Sequence, residues 1–235
     1  MVPMSSLEPS AFADLPIFAG LAPADLASLL GEARIARFAK NAVVFEEGAE
    51  ATSFYVLSEG YLRVAKLTSD GDQVIIRHIG VGEICGIAAA IGRTTYPATA
   101  VAIVESVALA WPSVAWPRLA ARFPILTKNT LQKIGERLQD AHTLVIEMST
   151  QEVERRVAHV LLRMIERAGR ATGDGTLIDF PVSRQDIAEM TGTTLHTVSR
   201  TLSAWETAGF VASGRQRVVV RDAPGLRAIA DAARG

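Results

Sequence analysis

A single cysteine, Cys85, stands among 235 residues. It excludes any disulfide within the chain and any four-cysteine zinc or iron–sulfur site, and leaves a buried, inert thiol as its reading. Long apolar runs are also missing; none reaches the ~20 residues that cross a bilayer. The first residues, Met1-Val2-Pro3-Met4-Ser5-Ser6-Leu7-Glu8, have neither the basic start nor the apolar centre of an export signal. A cytoplasmic protein with no membrane part is expected. No Gly-x-Ser-x-Gly, P-loop or His-Glu-x-x-His pattern occurs. A cupin-type metal enzyme needs a His-x-His pair with a further Glu and His on its strands, and the β-rich part of this chain offers only His78. These gaps argue against an enzyme. Repeats and low-complexity tracts are missing as well.

What is present is unevenly charged. Residues 1–149 hold 12 Lys+Arg against 15 Asp+Glu, a net of −3. Residues 150–235 hold 12 against 10, a net of +2, and every one of those cations is Arg. Arg carries a planar fork of donors that suits phosphates and guanine edges. The hydrophobic share, 49%, is enough to fill the cores of two modest domains.

The hydropathy pattern changes twice along the chain. Residues 11–37 read as helical, with Phe12, Leu15 and Phe18 apolar and Pro23-Ala24-Asp25 opening a helix that aligns Leu26, Leu29 and Leu30. Short β-type runs follow at 43–45, 54–57, 61–64, 74–79, 99–103 and 107–111. Glycines stand at their corners, and Glu59-Gly60 and Asp70-Gly71 are turn signals. Many short strands of this kind predict a small barrel or jelly roll. Pro124 to Met148 reads as one long helix. In it Thr127, Leu131, Ile134, Leu138, Ala141, Val145 and Met148 alternate at spacings of 4 and 3, close to a 3.5 period. That period favours a two-stranded dimer seam over an apolar face packed on its own domain. Ser149 and Glu152 form a capping pair for a fresh helix, with Val153, Val157, Val160, Leu161, Met164 and Ile165 as its core face. Residues 168–175 read as a polar loop.

The segment 182–202 is the most informative. It reads as two short helices around a turn at Gly192, with Ser183 and Asp186 as a capping pair. The second helix runs from about Thr194 to Ala208, and Gly209 suits its end. Val211 and Val218-Val219-Val220 flank Gly214-Arg215-Gln216-Arg217, which reads as a β-hairpin. A helix-turn-helix followed by such a wing places its second helix in the DNA major groove.

A β-roll, a long helix and a winged helix, in that order, resemble the CRP/FNR family of bacterial transcription regulators over nearly the whole chain. The residues that carry the resemblance are Phe54-Tyr55-Val56-Leu57-x-x-Gly60, Asp70-Gly71 and Gly82-Glu83-x-x-Gly86 in the roll. In the DNA module they are Ser183-Arg184-Gln185-Asp186-Ile187-Ala188 and Thr197-Val198-Ser199-Arg200. The resemblance implies an α+β chain: a roll sensor (double-stranded jelly roll) over 1–123, a dimerisation helix over 124–148 and a winged helix-turn-helix over 149–235. The dimer seam would be Leu131, Ile134, Leu138, Ala141, Val145 and Met148. Arg200 would meet a guanine, with Ser199 and His196 touching neighbouring bases. Ser183, Arg184, Gln185, Thr194 and Thr197 would meet the phosphate backbone, joined by Arg215 and Arg217 on the wing. Many family members have Glu where this chain has His196, so the family's usual half-site is not assumed. The partners implied are an inverted-repeat DNA operator, a second copy of the chain and RNA polymerase.

The sensor departs from the members that bind cAMP. Their phosphate pocket has a Gly-Glu pair after the Gly-[Asp/Glu]-x-x turn and then an Arg-Ser pair. Here Gly82, Glu83 and Gly86 are kept, but Ile87 takes the Glu position and Pro97-Ala98 the Arg-Ser positions. A cyclic phosphate would lose its guanidinium and its ribose would lose a carboxylate, so cAMP is not expected. Nor is an iron–sulfur cluster, since Cys85 stands alone. Tyr96-Pro97-Ala98-Thr99-Ala100 and the reading helix look like the branch with nitrogen-oxide-responsive regulators. Some of these are thought to use haem, for which His78 or His142 would be the axial ligand. The effector is thus an unidentified small molecule or gas. The alternative is an effector-binding roll whose output is not DNA binding.

Overall fold

The computed structural model describes residues 9–232. Met1–Glu8, on which the expectation about an export signal rests, lies outside the described residues, as do 233–235. The chain divides into two compact units. One is the chain up to Ala65 together with His78–Gln139; the other is Lys66–Arg77 together with Asp140 onward.

Two four-stranded antiparallel sheets, apart from the tip of one hairpin at 66–77, belong to the first unit. One joins β1 (Arg34–Phe38), β8 (Ser106–Pro112), β3 (Ser53–Glu59) and β6 (Ile84–Cys85) in that order. The other joins β2 (Val43–Phe45), β7 (Thr99–Ala102), β4 (Leu62–Leu67) and β5 (Gln73–Ile79). Alternating side chains send Leu57, Leu62, Ile79, Ala100, Ala102 and Ala108 into one buried cluster, as the period of a half-buried strand requires. A second cluster gathers Phe18, Leu29, Phe54, Trp111, Trp116, Leu119 and Phe123. There the Trp111 indole donates to the Leu29 carbonyl at 3.0 Å. The turn between β3 and β4 needs glycine: Gly60 has φ +85°, and a Cβ would sit 2.6 Å from the Glu105 carbonyl oxygen. The jelly roll expected from the glycine-cornered strands is therefore present.

The stretch 11–37 is only partly helical. Two 3-10 turns, Pro9–Ala11 and Pro16–Phe18, precede helix α1 (Pro23–Gly31), and 34–38 is strand β1. All five residues of β1 pair with β8, from Arg34 opposite Ala110 to Phe38 opposite Ser106. Pairing partners distant in sequence override local helix preference here. A short helix α2 (Trp116–Arg122) precedes the long helix α3 (Pro124–Thr150).

The expected capping pair at Ser149 is not formed. Ser149 Oγ instead bonds back to the Val145 carbonyl at 2.8 Å, and Thr150 Oγ1 to that of Ile146 at 2.7 Å. Both hydroxyls are satisfied inside the helix, so α3 continues past Met148. Helix α4 (Val153–Ala168) starts at Glu152 with no side-chain cap. The supposed loop after it is a hairpin of β9 (Gly169–Thr172) and β10 (Gly175–Ile178). With β12 (Arg217–Val220) and β11 (Val211–Gly214) these make a sheet of order β11-β12-β10-β9. Helices α5 (Arg184–Thr191), α6 (Leu195–Thr207) and α7 (Ala223–Asp231) complete the second unit. Its core is built from Val157, Leu161, Ile187, Val198, Leu202, Trp205 and Leu226, all buried. Among the described residues no helix is long and apolar enough to cross a membrane.

Candidate nucleic-acid interface

The α5–turn–α6 unit is built by caps at both joints. Ser183 caps α5, accepting from the Asp186 amide at 3.0 Å while Asp186 accepts from the Ser183 amide at 2.7 Å. This is the reciprocal box that its spacing predicted. Gly192 ends α5 with φ +59°, a left-handed conformation that costs any other L-residue. Thr194 caps α6, accepting from the Thr197 amide at 3.2 Å. Below the turn, the Arg156 guanidinium donates to the Thr191 carbonyl at 3.0 Å and to that of Gln151 at 2.7 Å. The reading helix is thus fixed at its start, and Val198, Leu202 and Trp205 fix its inner face. The Trp205 indole donates to Glu154 at 3.0 Å.

The outer face of α6 is left free. His196 and Arg200 are exposed and Ser199 is half buried. Steps of 100° per residue put 196, 199, 200 and 203 on one arc. Arg200 has no ion pair among the described residues, and it borders an open cleft of about 680 Å³ between α6 and the start of α4. The three base-contact candidates therefore share one ridge.

The backbone-contact candidates divide. Thr194 and Thr197 lie at the start of α6 with their hydroxyls 3.0 Å apart. Gln185 is exposed but donates to Glu189 at 3.0 Å. Ser183 spends its hydroxyl on the cap. Arg184 is half buried and donates to Ser213 Oγ at 2.9 Å, with Glu206 3.5 Å away. Glu206 also accepts from the Ser213 amide at 2.9 Å. One carboxylate on the reading helix thus ties down both the start of α5 and the wing strand β11. Sequence reasoning missed this tie, because Glu206 looks like any solvated residue of an amphipathic helix. The wing turn, Arg215-Gln216, closes between Gly214 and Arg217, which face each other across the hairpin. Arg215 and Arg217 are exposed and without an ion pair among the described residues.

Leu195, the first residue of α6, is 46% exposed and by 100° steps lies in line with the buried Leu202.

On α3, Leu131, Leu138 and Val145 are each more than half exposed, and Ala141 and Met148 are exposed too. Ile134 departs from this stripe and packs, half buried, against the Phe18–Trp111 cluster. Met148 also approaches the helix-turn-helix, its thioether 3.3 Å from where a Cβ on Gly192 would be. A buried Glu147 accepts from Arg163 at 2.6 Å and so ties α3 to α4.

The six effector-pocket candidates are spread over packed regions. Gly82 lies under Pro16, 2.9 Å from the ring if it carried a Cβ, and Ile87 belongs to the Phe18–Trp111 cluster. Glu83 turns to its own loop and accepts from the Gly80 amide at 2.8 Å. Gly86 abuts the Ser53 carbonyl and the Tyr55 ring. Ala98 is buried and Pro97 exposed. Nearby, Phe45 stacks on Tyr96 with ring centres 4.3 Å apart, and the Tyr96 hydroxyl donates to the Ser53 carbonyl at 2.8 Å. Burial pushes the Tyr55 phenol above its ordinary pKa, and Tyr96 beside it acts in the same direction. His142 is exposed on α3 and His78 half buried on β5. A haem needs an axial ligand set in an apolar slot, and these surroundings do not fit that group.

Comparison with known proteins agrees with both units. Residues 155–229 match the Crp-like helix-turn-helix domain family, and residues 35–123 match the cyclic nucleotide-binding domain family. The chain is 31% identical over 213 residues to the nitrogen fixation regulation protein FixK of Azorhizobium caulinodans, covering 87% of this chain and 82% of that one. It is 28% identical to the cyclic AMP receptor protein of Thermus thermophilus, covering 92% and 96%. Among solved structures, FixK2 of Bradyrhizobium japonicum superposes with a TM-score of 0.75 at 26% identity, covering 86% of this chain and 99% of that one.

Proposed function

Because the chain belongs to the CRP/FNR family of DNA-binding transcription regulators, we propose that it acts as a homodimer on an inverted-repeat operator under an effector other than cAMP. Its parts are a sensor over 1–123, a dimerisation helix over 124–148 and a reading head over 149–235. The observation that carries this reading is the free ridge of His196, Ser199 and Arg200 on a helix whose other side is locked into the core. Arg200, unpaired and able to donate two parallel bonds to a guanine, sets one base of each half-site. Thr194, Thr197, Arg215 and Arg217 flank the ridge and meet phosphates, which fixes register. Ser183 and Gln185 add backbone contacts at the start of α5, and Arg184 contributes through the donors that Ser213 and Glu206 leave free.

The apolar stripe of α3 is the dimer face. Leu131, Leu138, Ala141, Val145 and Met148 give it heptad spacing, and a twofold axis along it presents two reading helices about one DNA turn apart. RNA polymerase is the partner on DNA, and the cell compartment is the cytoplasm. Effector control enters through Gly82–Ile87 and Pro97-Ala98 and shifts the population between two dimer arrangements. Cyclic AMP is set aside because Ile87, Pro97 and Ala98 offer no partner to its phosphate or ribose. No enzymatic activity is assigned, in keeping with relatives that are transcription regulators.

The test is Arg200→Ala. A gel-shift titration on a selected operator is expected to show a loss of about 10- to 100-fold per half-site, the worth of one bidentate base contact, with the dimer mass unchanged in sedimentation. Unaltered operator affinity would end this reading.

A further inference from the structure

We infer that Glu147, acting through Arg163, sets how many base pairs separate the two half-sites of the operator; this rests on the regulator reading above. Glu147 lies in the last turns of α3 and is 3% exposed. One of its oxygens accepts from the Arg163 guanidinium of α4 at 2.6 Å, and His159 Nδ1 stands 3.9 Å from the same oxygen. The other oxygen has no hydrogen-bond partner among the described residues. A carboxylate buried this deeply is strongly unfavourable without compensation, and Arg163 supplies its one charge-assisted bond among the described residues. The bond therefore holds α4 to one register on α3. Two turns earlier, Asp140 pairs with Arg167 of α4, but both are half exposed, and such a pair adds little.

The place of Glu147 on α3 gives the bond its consequence. Steps of 100° put it about 100–160° round the helix from Ala141, Val145 and Met148. The same two turns of α3 thus carry the dimer stripe on one side and the attachment of the reading head on the other. Within the head, α4 buries Val157, Leu161 and Met164. Its Arg156 donates to the Thr191 carbonyl just before the turn into α6. Rigid contacts therefore run from the stripe to the reading helix, and Glu147–Arg163 is the buried polar link that crosses from α3 to α4.

DNA turns this geometry into a count. Each base pair rises ~3.4 Å. In a twofold dimer both heads move by the same amount, so a shift of about 1.7 Å per head changes the preferred spacer by one base pair. Packed helices freed from a tie slide past one another by about 1–2 Å. Arg200 and its neighbours choose the bases, and Glu147 chooses the interval between them.

The experiment uses the full-length protein on duplexes that carry a selected half-site as an inverted repeat, with the spacer shortened or lengthened one base pair at a time. Affinities are measured by fluorescence anisotropy for the unaltered protein, Glu147→Gln and Arg163→Gln. Circular dichroism and sedimentation check folding and dimer mass. For the unaltered protein, a spacer one base pair off the best is expected to bind about tenfold more weakly, the order of one mismatched pair. In both variants the best spacer and its neighbours are expected to bind alike, while affinity for a duplex with a single half-site stays unchanged. That last measurement separates a positioning role from general damage to the head. The role of Glu147 is overturned, with the regulator reading intact, by a variant that keeps the original spacer profile or loses affinity for the single half-site as well. Equal binding of all spacers by the unaltered protein, or failure of both variants to fold as dimers, overturns it too. A selection that yields no preferred half-site overturns both readings.

Discussion

At the scale of single residues, most of the reading head's geometry depends on a few backbone and carboxylate choices. Gly192 is one. Its φ of +59° makes the sharp turn between α5 and α6, and the nearest obstacle to a side chain is the flexible tip of Met148. The cost of Gly192→Ala is therefore mainly conformational. It should lower stability in urea by about 1–2 kcal/mol, with the slope of the transition unchanged. The glycine turn and the Ser183–Asp186 box were legible because each is a local device, written in three or four consecutive letters. Glu206 was not. Its partners, Arg184 and Ser213, are 22 and 7 residues away in sequence, and no local pattern links them. The same holds for the aromatic packing of Phe45 on Tyr96, which joins residues that only the sheets bring together.

At the scale of elements, α3 makes the clearest claim. A 27-residue helix that leaves Leu131, Leu138 and Val145 more than half exposed carries an apolar stripe of the kind that pairs two helices. Leu138→Asp puts a charge in the middle of that stripe, and burying it unpaired is strongly unfavourable. Sedimentation velocity should then report the single-chain mass of 25.1 kDa where the unaltered protein reports twice that value. The α3 period, the α6 boundaries and the wing could all be read ahead of the structure, since strong periodicity and turn residues mark them. Strand β1, the β9–β10 hairpin and helix α7 are among those that could not. Strand β1 has alternating exposure too weak to distinguish it from a helix, and it exists because β8 offers five partners. The β9–β10 hairpin is polar and short. Helix α7 begins with Ala223-Pro224-Gly225, a sequence that suggests a turn, but Asp222 accepts from the Gly225 amide at 2.9 Å and caps it. Proline in a first turn loses no bond.

At the scale of the whole molecule, charge is divided along the chain. Among the described residues, Arg215 and Arg217 are cations of the reading head without an ion pair. If these two meet phosphates in each protomer of a dimer, about four phosphates are neutralised. Together they should contribute a fall of about four in the logarithm of the binding constant for each tenfold rise in salt. Changing both Arg215 and Arg217 to Ala should remove about that much of the slope, in titrations by fluorescence anisotropy across several salt concentrations. A slope insensitive to the wing changes would remove the wing from the interface. The order of roll, long helix and winged helix was legible at this scale because three different periodicities follow one another. The interior of the roll was not legible, because its filling by Phe45, Tyr55 and Tyr96 depends on side chains meeting across two sheets.

The bonds that hold α6 in place leave from one side of it, through Val198, Leu202, Trp205 and Glu206, while His196, Ser199 and Arg200 face away. The letters that address a promoter can therefore be exchanged like movable type, without recasting the frame that holds them. A lineage carrying this head can redirect itself to new genes by a handful of codon changes, each almost free of folding penalty, and an engineer can follow the same route.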